Sequence, residues 1–88
     1  MYCVLTDLKK RLSEQEITRL VADAGTAPDF EDPEDPGLLL VNAAIESAGT
    51  EIDFACAARY RVPLSPIPPR IVDICVDISL YNLFKRRF

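Results

Sequence analysis

Apolar residues recur at helical spacing along most of this chain and stop at two proline-rich breaks, so the pattern predicts four helices. Residues 1–5 form a short apolar opening, read as extended. Thr6 is a suitable N-cap for a brief helix through Leu12, with Asp7 favourable in its first turn. Ser13-Glu14-Gln15-Glu16 has the form of a capping box, in which the Ser13 hydroxyl accepts from the Glu16 amide and Glu16 reaches back. Ile17, Leu20, Val21 and Ala24 follow at helical spacing, and Gly25 supplies a C-cap.

Residues 26–36 are a loop. Pro28, Pro33 and Pro36, with Asp29, Glu31, Asp32, Glu34 and Asp35, exclude helix or paired strand there, and Phe30 is the residue expected to pin it. A long helix is predicted from about Pro36 to about Tyr60. Leu38, Val41, Ile45, Ala48, Ile52 and Ala55 share one face, with Leu39 and Cys56 beside it. Gly49 sits in its interior, where a bend is possible. Residues 61–69 hold Pro63, Pro66, Pro68 and Pro69, a rigid corner. Pro69 then opens a last helix to Arg87 that is apolar nearly all round, its polar stripe reduced to Arg70, Asp73 and Asp77. The expected architecture is all-α: two short helices, an acidic proline-rich loop, and two long antiparallel helices about a proline-rich corner.

Length and composition narrow the function. Eighty-eight residues make one domain with one small core. Hydrophobic residues at 49% and charged residues at 27% fit a folded chain. There is no histidine, so the commonest general base and the commonest zinc ligand are missing, and no enzyme activity is expected. Cys3, Cys56 and Cys75 are odd in number, far apart and without a Cys-x-x-Cys pair, and read as reduced thiols in apolar surroundings. The apolar run 38–41 is far short of the roughly 20 residues that span a bilayer. No secretory signal is apparent, so cytoplasmic synthesis is the expectation.

Net charge is −4, but its distribution is more informative. Between Arg19 and Arg59 there are nine acids and no base, whereas the chain closes on Lys85-Arg86-Arg87. An acidic and a basic segment suit head-to-tail self-association or docking on a charged partner. The candidate partner-binding residues are therefore Asp29, Glu31, Asp32, Glu34 and Asp35 on one side, and Lys85, Arg86 and Arg87 on the other. An over-apolar last helix points the same way, because part of it is expected to meet another chain. The acidic midsection weighs against a nucleic-acid surface.

Specific chemistry is otherwise hard to find. Aligning Asp32, Glu34 and Gly37 with a calcium loop puts Ala43 where the bidentate glutamate belongs, so no metal site is expected. No cofactor motif is present. Asp73 and Asp77 repel at four residues' separation unless a base lies nearby. If the long helices fold back on each other, Arg59 lies near the start of the last one, and an Arg59–Asp73 ion pair is expected to fix the corner.

An ordered set of short matches then stands out. Met1-Tyr2, Thr6-Asp7-Leu8 and Glu16 open the chain. Glu51-Ile52-Asp53 and Ala57-Ala58-Arg59-Tyr60 follow, then Pro63-Leu64, Ile67-Pro68-Pro69, Asp77-Ile78 and Tyr81. Together these resemble the small head-region proteins of Mu-like phages and prophages, a family of formerly unknown function. The resemblance implies a virion-assembly role similar in plan to the helical adaptors that form a ring beneath the portal and receive the tail. It implies homo-oligomer, portal and tail-completion partners, a final place at the head–tail junction, and no small-molecule substrate, sequence-specific nucleic acid or membrane. Family members continue beyond the Arg-Arg motif with further helical sequence, whereas this chain stops at Phe88, so a C-terminal helical extension is expected to be lacking. A small prophage-encoded regulatory module that binds another protein is the alternative.

Overall fold

A computed structural model describes residues 1–22 and 28–87. Its helices are α1 (Leu5–Lys9), α2 (Glu14–Val21), α3 (Pro36–Cys56) and α4 (Pro69–Arg87), with no strand among the described residues. The all-α reading therefore holds, with the long pair α3 and α4 packed together.

Helix α1 starts two residues earlier than a Thr6 cap would allow. Val4 is the extended N-cap, and its amide donates to Asp7 Oδ2 at 3.0 Å. Five residues cannot hold a helix alone. Turns through Arg11 and Leu12, whose amides donate to the Leu8 carbonyl at 3.0 and 2.9 Å, and full burial of Leu8 keep it in place. Ser13 caps α2, its Oγ accepting from the Glu16 amide at 3.3 Å, and Ile17, Leu20 and Val21 face inward. The expected Ala24 and the Gly25 cap lie outside the described residues.

Asp35 caps α3 through Oδ2, which accepts from the amides of Gly37 at 2.8 Å and Leu38 at 3.2 Å. Val41, Ile45, Ala48 and Ile52 are buried as their spacing predicts, joined by Ala44. The helix ends at Cys56 rather than Tyr60, because the Arg59 amide bonds the Cys56 carbonyl three residues back at 3.0 Å in place of the i−4 carbonyl of Ala55. Ala55, near this end, is exposed.

Helix α4 runs antiparallel to α3. Asn82 Nδ2 donates to the Ala44 carbonyl at 3.3 Å, while Ile71 lines a cleft with Cys56 at the other end. The connecting corner carries cis peptides at Val62–Pro63 and Ser65–Pro66. Packed against α1 and α2 as well as α3, α4 is the central element. Cys75, Val76, Ser79, Leu80 and Leu83 are buried, and Ile71, Val72, Ile74 and Ile78 pack at the margin of the core. Its apolar girth is thus largely covered within the chain, leaving Tyr81 and Phe84 exposed. The segment before α1 adds two core residues, Tyr2 and Cys3. The whole measures 44 × 23 × 22 Å.

Candidate functional site

The acidic loop is built mainly by its own aspartates. Asp29 Oδ1 accepts from the Glu31 amide and Asp32 Oδ1 from the Glu34 amide, both at 3.0 Å. Asp35 Oδ1 accepts from the Asp29 amide at 3.1 Å, closing the loop onto the start of α3. This bond, with those from Leu38 and Gly37, holds the Asp35 carboxyl below its ordinary range against the opposing effect of burial. Phe30 is packed on the core, with Lys9 Nζ 5.9 Å from its ring centroid. Asp29, Glu31, Asp32 and Glu34 are exposed, and the loop's amide bonds are accepted by the aspartates and not by the two glutamates.

The basic segment has an internal use. Arg86 Nη1 donates to the Leu20 carbonyl at 2.9 Å, and Arg87 Nε and Nη2 donate to the Arg19 carbonyl at 3.1 and 2.8 Å. Two arginines of α4 therefore satisfy carbonyls in the last turn of α2, where cationic groups also suit the helix dipole. Lys85 lies over the Tyr81 ring at 5.4 Å.

Antiparallel packing puts the acidic and basic segments at one end of the molecule rather than at opposite poles. A Cβ on Gly37 would meet Val21 at 3.3 Å, and Arg86 reaches Leu20, so the start of α3 and the end of α4 both adjoin the end of α2. The opposite end, beyond α3, presents exposed Arg59, Arg61 and Arg70 beside exposed Tyr60. A cleft of about 290 Å³ lies there between Cys56, Tyr60, Leu64, Pro68, Arg70 and Ile71.

The expected Arg59–Asp73 pair is not among the ion pairs of the described residues, which are Lys9–Glu14, Lys10–Asp7 and Arg11–Asp77. Arg70 and Ile71 are the α4 residues that meet the corner cleft with Pro68, whereas Asp73 lies outside it. Asp73 shares a cleft of about 410 Å³ with Asp7, Lys10 and Arg11 on α1 and the turn after it. Arg11, not Arg59, supplies the base that the Asp73/Asp77 face requires.

Sequence reasoning missed one constellation. The Tyr2 hydroxyl donates to Asp53 Oδ1 and accepts from the Leu64 amide at 2.7 Å. Burial, then the Asp53 carboxylate, pushes the phenol above its ordinary range. Tyr2 thus ties the N-terminal segment to α3 and the corner. The signal lay in the family-like matches, since Tyr2, Asp53 and Leu64 all belong to them.

Among the described residues no group of histidine, cysteine or acidic side chains is placed to hold a metal, and no helix is long and apolar enough to cross a membrane. No match was found among curated proteins or among solved structures. A family model described as Bacteriophage Mu, Gp36 matches residues 2–88. With nearly its whole length covered, including the residues that Tyr2 ties together, the chain belongs to the bacteriophage Mu Gp36 family.

Proposed function

We propose that this protein is a structural component of the phage particle, a head–tail connector subunit that assembles with copies of itself as a ring on the portal. It acts in the host cytoplasm during assembly, then at the head–tail junction, and carries no enzymatic step. The observation that carries this reading is the family match over residues 2–88. The distribution of surface groups supports it. Phe54 is 86% exposed and Tyr81 64%, aromatic surface of a kind enriched in protein interfaces.

Self-association in a ring needs two different patches that complement each other. The acidic loop and the arginine corner, separated by the length of α3 (about 30 Å), are suitably placed. Glu31 and Glu34 of one copy would face Arg59, Arg61 and Arg70 of the next. Lys85, Arg86 and Arg87 are a poorer positive pole, because two of them already bond α2.

The test is to purify intact particles from the induced prophage and quantify this protein by mass spectrometry against the portal subunit. A ratio near that of a ring component is expected. Absence from particles, with abundant protein in the lysate, would overturn the connector reading and favour a regulatory binding module.

A further inference from the structure

Two thiols meet in the core, away from both charged ends. Cys3, in the extended segment before α1, and Cys75, in α4, are 3% and 0% exposed. Both are free, and their Sγ atoms lie 3.0 Å apart. Ser79 Oγ is 3.9 Å from each sulfur. A disulfide bond length is about 2.05 Å, so closure requires an approach of only about 1 Å.

We propose that Cys3 and Cys75 are a latent intramolecular disulfide, closed by exchange with a small-molecule disulfide outside a reducing compartment, which staples the N-terminal segment to α4. This assignment is independent of the connector reading. In the first step the Cys3 thiolate attacks one sulfur of RSSR, forming a Cys3–SR mixed disulfide and releasing RS⁻. The Cys75 thiolate then attacks the Cys3 sulfur, forming the Cys3–Cys75 bond and releasing a second RS⁻. Both cysteine protons end on the released thiolates, so two thiols are oxidised and one RSSR becomes two RSH.

The closed structure protects the pair. Burial, followed by the adjoining Cys75 thiol, pushes Cys3 up to about 12, which keeps it protonated and unreactive near neutrality. Exchange therefore begins when residues 1–4 lift from the core and Cys3 regains ordinary thiol acidity, and its rate follows that local opening. Exposed Met1 and Val4 flank buried Tyr2 and Cys3, so this segment is held from one side only.

To test this, the full chain is incubated with oxidised glutathione at about pH 8, where an ordinary thiol near 8.5 is partly ionised, then digested with trypsin without reduction. The expected product joins residues 1–9 to residues 71–85, with glutathione confined to Cys56. The thermal midpoint should stand at least about 10 °C above that of dithiothreitol-treated protein, because the cross-link closes a long loop in the unfolded chain. Cys56→Ser should preserve both the link and the shift. Separate glutathione adducts on Cys3 and Cys75, a link through Cys56, or an unchanged midpoint would overturn the assignment.

Discussion

Tyr2 carries one hydroxyl that serves two elements at once, which makes it the most informative single residue for stability. Its oxygen accepts from the Leu64 amide and its proton goes to Asp53, so the N-terminal segment, α3 and the corner share one polar junction under the ring. Tyr2→Phe keeps the buried ring and removes the junction, leaving the Leu64 amide without that acceptor. A loss of about 1–2 kcal/mol is expected, the cost of orphaning partly buried polar groups, read as a lower urea midpoint with an unchanged slope. No change in the midpoint would show that water replaces the hydroxyl. Nothing in the hydrophobic pattern announces this residue. Five apolar-rich positions without a helical or alternating period read only as an extended opening, and the partners of Tyr2 lie 51 and 62 residues away. Its family-like context was visible, but its bond was not.

Among the elements, legibility followed periodicity. The stripe Val41–Ile45–Ala48–Ile52 located α3, Pro69 located the start of α4, and Ser13 marked the cap of α2. Boundaries depended on hydrogen bonds that the pattern does not encode: Asp7 selects Val4 over Thr6 as the cap of α1, and the Cys56 carbonyl ends α3 early. The two described glycines of α3 separate helix propensity from packing. A Cβ at Gly49 would lie 3.8 Å from Tyr2 Cδ2, an ordinary contact, so Gly49→Ala should gain about 1 kcal/mol from the better helix former. A Cβ at Gly37 would lie 2.6 Å from Pro28 Cβ and 3.0 Å from Asp35 Oδ2. Neither neighbour yields easily, since one is a proline ring and the other is the helix cap. Gly37→Ala should therefore lose about 1–3 kcal/mol by overpacking. Thermal denaturation of the two variants checks the opposed signs, and a stabilised Gly37→Ala would mean that the loop gives way.

For the molecule as a whole, the chain order of charges did not survive folding as an order in space. Acidic and basic segments far apart in sequence suggested two poles, but the α3–α4 hairpin returns the basic segment to the acidic end and spends Arg86 and Arg87 on α2. The same return places α4 between α3 and the short helices, which covers the apolar surface that had pointed to a second chain. These are consequences of topology, and a one-dimensional pattern carries no information on which end meets which. The arginine corner emerged as the opposite pole only once the hairpin was closed. A clean test of polarity must therefore avoid charges with an internal role. Glu31 and Glu34 qualify, because the loop is held by the carboxylates of Asp29, Asp32 and Asp35 and by the backbone amides of these two glutamates. Glu31→Lys with Glu34→Lys should leave stability within about 0.5 kcal/mol, as for ordinary surface changes, yet reduce incorporation into particles severalfold. Reversing Arg59, Arg61 and Arg70 to glutamate should do the same. Combining both sets restores complementarity with the signs exchanged, so incorporation should recover. Recovery would locate the contact between copies, because a contact with a portal of unchanged charge cannot be restored by exchanging the signs on this chain alone. Unchanged incorporation in the glutamate double variant would remove the loop from the interface.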